Sequence, residues 1–242
     1  LGRSRVLLSS LSLVLPRILF VSAYASLRLA RSMLGIAIIA LRLKKGLSIR
    51  GSATLAAAGL AFFLVRIAAG TVSFWMFADD YDRELKALDH LPVGARLVTF
   101  IGTECGSPWT MTRLEHLSAI ALERKMAYTN DQWSMAGAQL LTTRYLPAGR
   151  FAHDPSQIVT SVQCPREWWR PISRAMARFP RNAFDYVWLI RPPAYDPKFN
   201  AGLVPIWRDG TSVLYRVDHG APGIKISDEA LRPRIRPVPT PF

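Results

Sequence analysis

The feature that most constrains this chain is a 27-residue apolar run, Ser52–Ala78, in which Arg66 is the sole charged residue. As an α-helix this run would be about 40 Å long, which exceeds the ~30 Å hydrocarbon core of a bilayer. A central arginine costs about 2.5–3.5 kcal/mol on insertion, whereas the ten Leu, Ile, Val and Phe side chains return about 3–6 kcal/mol. The run is therefore predicted to be a transmembrane helix. Arg66 is a candidate functional residue inside it, and the alternative is a structural arginine paired with another helix.

The charge of the chain is divided unevenly along its length. Of the net +14, residues 1–78 contribute +10 from ten Lys and Arg and no acid, and residues 79–242 contribute +4 from 21 bases and 17 acids. Basic residues among apolar runs are typical of the cytoplasmic edge of a membrane, whereas a nucleic-acid surface carries them on the polar face of a soluble domain. Nucleic acid is therefore not an expected partner. Bases before the span and acids after it place residues 79–242 outside the cytoplasm.

The segment before the span does not by itself fix the number of membrane-embedded helices. Val6–Ala23 is apolar but is interrupted by Pro16 and Arg17, and Leu34–Leu43 is apolar but short. We interpret residues 1–51 as membrane-embedded helices with a basic cytoplasmic loop, and one span with an interfacial amphipathic helix is the alternative. A cleaved signal peptide and a mitochondrial transit peptide are further alternatives for this start.

The region after the span has the pattern of an α/β domain. Strands are predicted at Arg96–Ile101 and Phe184–Ile190, and a terminal hairpin is predicted from Val204–Arg208 and Ser212–Val217. Strands that alternate with helices predict a mixed, partly parallel sheet with flanking helices. The expected fold is therefore membrane α-helical segments followed by an extracytoplasmic α/β domain.

The helices of this domain are predicted from periodicity and capping residues. Asp79–Leu91 has leucines on one face and is predicted to be a stalk leaving the membrane. Thr112–Lys125 begins with a capping box, and two further helices are predicted to begin at Asp154–Pro155 and Arg170–Pro171. The Pro- and Arg-rich end is predicted to be extended or disordered. The expected organisation has four parts: residues 1–51, the span 52–78, the α/β domain 79–220 and the tail 221–242.

The sequence contains no strong catalytic or cofactor motif. No Gly-rich phosphate loop, HExxH, CxxC or GxSxG pattern occurs, and no cofactor is identified. The four histidines lack the spacing of metal ligands, so no metal site is expected. A cluster of three carboxylates could hold a divalent cation, and it consists of Asp79, Asp80 and Asp82. The alternative is a solvated helix segment. Cys105 and Cys164 both fall in the exported domain, where a disulfide and two separate thiols remain alternatives.

Residues 52–217 contain the last predicted span, the predicted stalk and then four short sequence segments in a fixed order: LPVGARLVTF, RLEHLSAIALERKMAYTN, FDYVWLI and GTSVLYRV. This arrangement resembles the C-terminal end of bacterial multi-spanning glycosyltransferases of the GT-C type and of uncharacterised polytopic membrane proteins. The resemblance implies a multi-pass protein of the bacterial inner membrane that uses a polyprenyl-phosphate sugar in cell-envelope glycan or lipid modification. The essential acid of that class lies in a first exported loop, which would precede Leu1. No catalytic residue therefore carries over, and whether the chain is an enzyme is left open.

Four residues of the exported domain are candidates for binding a substrate or acceptor. The resemblance implies that three of them would support the domain or bind an acceptor, namely Arg113, His116 and Asn130. Asn130 and Trp133 lie in a loop after a predicted strand, where they could bind a sugar by hydrogen bonds and stacking. The structural alternative for His116 is a residue at the boundary of the core that makes one hydrogen bond. The alternative for Asn130 and Trp133 is a plain turn. Besides the lipid bilayer, the expected partner is the polyprenyl-phosphate sugar. The alternative function is a non-catalytic, membrane-anchored binding or scaffold domain.

Overall fold

The structure is a computed structural model that describes most of the chain after residue 47. The described residues are 48–106, 114–133, 143–165 and 169–221, with the backbone of Ile18–Leu19 (β1) and Ser22–Ala23 (β2). Strands β1 and β2 pair antiparallel. Both strands fall in the predicted membrane-embedded segment Val6–Ala23, where helix was expected, so multiple membrane helices are not shown. The rest of residues 1–47 and the tail beyond Ala221 lie outside the described residues. The chain separates into two compact units, with a boundary between Trp75 and Met76.

A single long helix, α1, spans Ile49–Leu85 and contains the whole apolar run 52–78. Among the described residues it is the one helix long and apolar enough to cross a membrane, by length and composition. Its most apolar stretch has a mean hydropathy of 1.9, and none of it is buried. Phe62 and Phe74 are 71% and 80% exposed, and Arg66 is exposed as well. An apolar surface of this extent is unusual on a protein in water.

The second unit is built on a mixed seven-stranded sheet. Its strands are β3 (Arg96–Gly102), β4 (Tyr128–Thr129), β5 (Ile158–Thr160), β6 (Arg170–Pro171), β7 (Tyr186–Ile190), β8 (Leu203–Asp209) and β9 (Ser212–Val217). The spatial order is β6-β5-β3-β7-β9-β8, and β4 also pairs with β3. Strands β4, β5 and β7 are parallel to β3, whereas the β8–β9 hairpin joins β7 antiparallel. The predicted mixed sheet and its terminal hairpin are thereby confirmed.

Helices cover both faces of this sheet. Val187 and Trp188 of β7 enter separate hydrophobic cores, because successive side chains of a strand point to opposite faces. Helix α3 (Ile172–Arg178) packs on the first face, as the Arg170–Pro171 start predicts, and α2 (Ile120–Lys125) packs on the second. Short 3-10 helices complete the domain: η1 Lys86–His90, η2 Leu117–Ala119, η3 Leu146–Phe151, η4 Arg181–Ala183 and η5 Pro197–Asn200.

The segment predicted as a stalk packs on the sheet. Helix α1 ends at Leu85, and η1 continues the chain towards Leu91. The predicted leucine face is confirmed, since Leu85, Leu88 and Leu91 are all buried in the second core. The residues that follow the apolar run therefore belong to the α/β domain.

The predicted helix over Thr112–Lys125 is shorter in the structure. Its described part begins at Leu114, and regular structure begins only with η2, which leads into α2. His116 has φ −114° and ψ 18°, which is not a helical conformation. The turn allows both Leu114 and Leu117 to reach the second core. In α2, Ala121 is buried, whereas Leu122 is 51% exposed.

The predicted helix at Asp154–Pro155 is wrong. Residues 154–157 form a turn that leads directly into β5. Ile158, Val159 and Thr160 are β-branched residues that suit a strand, and β5 pairs with both β3 and β6. Pairing within the sheet therefore overrides the local capping signal.

A disulfide joins the loops that follow two neighbouring strands. Cys105 follows β3 and Cys164 follows β5, and the two Cα atoms are 5.5 Å apart. Of the two alternatives left by the sequence, the structure shows the disulfide. Strands β3 and β5 share only two paired positions, Ile101 with Ile158 and Gly102 with Val159. The covalent link therefore reinforces a short strand pairing.

Candidate anion-binding cleft

An open cleft of about 690 Å³ lies beside helix α3. Four arginines line it, together with Gln163, Phe151 and the small or apolar residues of η3 and its surroundings. The arginines are Arg150, Arg170, Arg174 and Arg178. No acidic residue lines the cleft in the part of the chain that the structure describes. The cleft therefore concentrates positive charge around a volume large enough for a small ligand.

Three elements bring these arginines together. Arg170 lies in β6, whereas Arg174 and Arg178 lie four residues apart in α3, a spacing that places helical side chains on one face. The opposite side of that short helix carries Ile172, Ala175 and Met176 into the first core. Arg150 comes from η3, whose residues Ala148 and Phe151 pack in the same core. Core packing thus orients both walls of the cleft.

Arg170 is half-buried, as is Arg174, whereas Arg150 and Arg178 are exposed. The guanidinium carbon of Arg170 lies 4.6 Å from the centre of the Phe151 ring, which is a cation–π contact. Burial lowers the pKa of Arg170 below its ordinary value, and the positive charges of Arg150 and Arg174 lower it further. The guanidinium remains protonated at neutral pH because the pKa of arginine begins so high. A bound anion would relieve this mutual repulsion.

Hydrogen bonding also fixes one wall. The Nη1 group of Arg174 donates to the Oε1 atom of Gln163 at 3.3 Å. Gln163 in turn donates from Nε2 to the carbonyl oxygen of Trp169 at 3.1 Å, next to Arg170. The planar guanidinium fork is suited to bidentate hydrogen bonding with phosphate or carboxylate. The arrangement is chemically suited to hold an anion beside an aromatic ring.

Three of the four residues that the sequence suggested as substrate-binding candidates are described by the structure, and they do not line this cleft. Arg113 lies outside the described residues. His116 is exposed, Trp133 is 51% exposed, and Asn130 is completely buried. None of these three lines the arginine cleft. His116 and Asn130 do belong to one neighbourhood, in which Asp131 follows Asn130 and is influenced by the charge of His116.

Asn130 occupies a gap in the sheet. Strands β4 and β5 pair with the same edge of β3 at different heights, and Asn130 fills the space between them. Its Oδ1 accepts from the Thr99 backbone N–H at 2.7 Å, and its Nδ2 donates to the Thr99 carbonyl at 3.2 Å. Nδ2 also donates to Ser156 Oγ at 2.9 Å. The side chain therefore substitutes for strand backbone and satisfies buried polar groups of β3.

The neighbourhood of His116 carries a different chemistry. Glu115, His116 and Asp154 place their potential metal-ligand atoms within 4.8 Å of one another. Burial raises the pKa of Asp131, and hydrogen bonds from Ser118 and Thr129 and the charge of His116 act in the opposite direction. Histidine spacing along the chain does not indicate this group, because Asp154 reaches the other two residues only through the fold.

The aspartates after the apolar run are engaged in ion pairs. Asp80 pairs with Arg83 and with Arg191, whose Nη2 atom lies 3.2 Å from Asp80 Oδ2. Hydrogen bonds from these two arginines lower the pKa of Asp80. Arg191 also pairs with Glu84, whose carboxylate accepts from Ser212 Oγ at 2.9 Å. Asp80 therefore takes part in the contact between α1 and the sheet.

Sequence reasoning missed the arginine cleft. Arg174 and Arg178 are marked by their four-residue spacing, which a helical projection of residues 172–178 would have shown, and Arg170 directly precedes that helix. Arg150 could not have been found in this way, since it lies 20 residues earlier. Comparisons with known proteins add nothing to the site: no protein-family model, curated protein or solved structure matches the chain.

Proposed function

We propose that this chain is a membrane-anchored protein whose extracytoplasmic α/β domain binds a phosphate-bearing ligand in the arginine cleft. The observation that carries the proposal is the group of four guanidinium-bearing side chains around one 690 Å³ cleft. Three of them, those of Arg150, Arg170 and Arg174, are close enough to affect one another electrostatically. Clustered arginines are the usual protein receptor for phosphate, because each offers several donors in a fixed plane.

Three observations support a location across a membrane with the domain outside the cytoplasm. Helix α1 is long, apolar and exposed. The basic residues before its apolar run and the acids after it follow the positive-inside rule. The disulfide between Cys105 and Cys164 is of a kind that persists in oxidising compartments. In a bacterium this corresponds to the inner membrane, with the domain on its outer face.

The lining of the cleft narrows the ligand class. Phe151 and two prolines, Pro147 and Pro180, lie beside the arginines, so an apolar or ring-shaped group fits next to the anionic one. A polyprenyl-phosphate sugar combines these properties, and it is the donor implied by the resemblance to GT-C glycosyltransferases. The proposed role is therefore recognition of such a lipid-linked sugar in cell-envelope glycan or lipid modification, as part of a glycosyltransferase-like protein. A non-catalytic binding domain for the same ligand is the alternative.

The test is a titration of the full chain in detergent micelles with three probes: inorganic phosphate, glucose 1-phosphate and farnesyl phosphate. We expect Arg170→Ala to weaken binding at least tenfold, because a charge-assisted hydrogen bond contributes about 1.5–3 kcal/mol. Arg150→Ala, at a more exposed position, provides a second variant with little risk to folding. Arg124→Ala is the matched control, since Arg124 is exposed on α2 and does not line the cleft.

The three probes separate the possible sources of the phosphate. Tighter binding of farnesyl phosphate than of the other two supports a lipid-linked ligand, and equal binding of all three supports recognition of the phosphate alone. Raising the salt from 50 to 500 mM should weaken every probe that binds through the arginines. The proposal fails if no probe binds at millimolar concentration, or if the cleft variants and Arg124→Ala bind equally well.

A further inference from the structure

A second site lies where the segment before η2 meets the turn before β5. Glu115 and His116 precede η2, and Asp154 begins the turn that leads into β5. Their carboxylate and imidazole atoms lie within 4.8 Å of one another. Glu115 is buried, Asp154 is half-buried and His116 is exposed, so the group has a buried side and a side open to solvent.

Gln157 provides an independent observation at the same place. Its side chain is completely buried, and its Nε2 group donates to Asp154 Oδ1 and to the Glu115 carbonyl oxygen. The amide therefore lies against the group of three ligands. Its Oε1 atom has no hydrogen-bond partner among the residues that the structure describes. A buried amide oxygen without a partner costs about 1–3 kcal/mol. Because Nε2 is the amide atom that contacts Asp154, a 180° rotation of the amide would bring Oε1 to the ligand group, where a bound cation would satisfy it.

We infer that Glu115, His116 and Asp154 form a binding site for one divalent transition-metal ion, with Gln157 as a neighbouring oxygen donor. One imidazole and two carboxylates are a ligand set that suits Zn²⁺ or Mn²⁺ better than Mg²⁺ or Ca²⁺, which prefer oxygen alone. Ligands at about 2.1 Å from one ion lie about 3–4 Å apart, so the side chains need to close by less than about 2 Å. The exposed imidazole is the member with most freedom to move.

The site would serve a purpose separate from the arginine cleft. A metal ion here would join two segments that are 38 residues apart, between His116 and Asp154. Binding is therefore expected to stabilise the fold.

The test uses the full chain in detergent, stripped of metal with a chelator and then titrated with ZnCl₂, MnCl₂ and MgCl₂. We expect one equivalent of Zn²⁺ or Mn²⁺ to bind more tightly than Mg²⁺. At a hundredfold excess over Kd, the midpoint of thermal unfolding should rise by about 5–10 °C. His116→Ala and Asp154→Asn should each weaken binding at least tenfold.

His90→Ala is the matched control, because His90 is an exposed histidine outside the three-residue group. His116 is exposed, so His116→Ala is expected to fold, and circular dichroism of the metal-free variant checks this. The inference is overturned if neither Zn²⁺ nor Mn²⁺ binds at 1 mM, or if binding survives unchanged in both site variants. Loss of binding in His90→Ala alone would also overturn it.

Discussion

The double variant Cys105→Ser, Cys164→Ala removes the covalent link between the loops after β3 and β5. The two cysteines are 59 residues apart, so the disulfide closes a loop of about 60 residues in the unfolded chain. The chain-entropy relation gives about 14 cal/mol/K for such a loop, or roughly 4 kcal/mol at 25 °C. We therefore expect the free energy of unfolding to fall by up to about 4 kcal/mol. Alanine is chosen at position 164 because Cys164 is 97% buried, only 3% of its surface being exposed.

The assay is urea unfolding of the full chain in detergent, followed by tryptophan fluorescence. Trp188 is completely buried in the second core, so its emission reports loss of the domain. A reducing agent should lower the urea midpoint of the original chain and leave the variant unchanged, which separates the disulfide from side-chain effects. Hydrogen exchange should accelerate most in Ile158–Thr160, because β5 keeps only two paired positions with β3.

Two results would contradict this reasoning. A difference in unfolding free energy below about 1 kcal/mol would show that the loop closure is not what stabilises the edge of the sheet. An equal response of both proteins to the reducing agent would show that the cysteines are not paired in the folded chain. Thiol labelling of the unreduced, denatured protein provides the direct control, since a paired cysteine does not react.

Three substitutions test other parts of the domain by urea unfolding. Arg96 forms an ion pair with Asp185 and lowers its pKa below the usual 3.8. Asp185→Asn should therefore lower the free energy of unfolding by about 1–2 kcal/mol at pH 7, after allowance for solvent screening. Because folding lowers this pKa, the ionised Asp185 stabilises the fold fully above pH 4. This stabilisation is lost as the pH falls through the pKa of the folded state, and there the variant should be as stable as the original chain. Asn130→Ala should cost about 2–4 kcal/mol, because it leaves backbone groups of β3 without partners; a cost below 1 kcal/mol would mean that water replaces the amide. Gly102→Ala should lower the free energy of unfolding by about 2 kcal/mol or more, because an added Cβ would overlap the carbonyl oxygen of Arg191; a loss below about 1 kcal/mol would mean that the backbone shifts to make room.

The strands that form the centre of the sheet could be predicted from the sequence. Arg96–Gly102 and Tyr186–Ile190 are short apolar runs that are buried on both faces, which is typical of strands covered by helices on each side. The hairpin of β8 and β9 has a glycine, Gly210, in the left-handed conformation at its turn, with φ 54°. These features depend on local sequence, so local reasoning was sufficient.

The helices depended on contacts that local patterns do not contain. Capping signals at Thr112 and Asp154 predicted helix starts, yet the structure places a turn before η2 and a turn before β5. In both places the chain reaches a buried position on the sheet: Leu117 enters the second core, and Val159 pairs with Gly102. Tertiary packing outweighs a cap that contributes about 1 kcal/mol.

The candidate sites show the same limit. The spacing of Arg170, Arg174 and Arg178 is a local pattern, but the ring of Phe151 beneath Arg170 comes from a separate element. The grouping of His116 with Asp154 likewise requires the fold. The sequence indicated His116 as a candidate for binding a substrate or acceptor, but it could not show which residues lie beside it.

The edges of the sheet have a consequence for copies of this domain at high concentration. One edge, β6, is two residues long and ends in Pro171, which has no N–H to donate. The other edge, β8, contains Pro205 and an irregular register between Pro205 and Trp207. Neither edge offers a long, regular row of backbone groups to a neighbouring strand. Aggregation by strand addition is therefore disfavoured, and association with other proteins at these edges must depend on side chains.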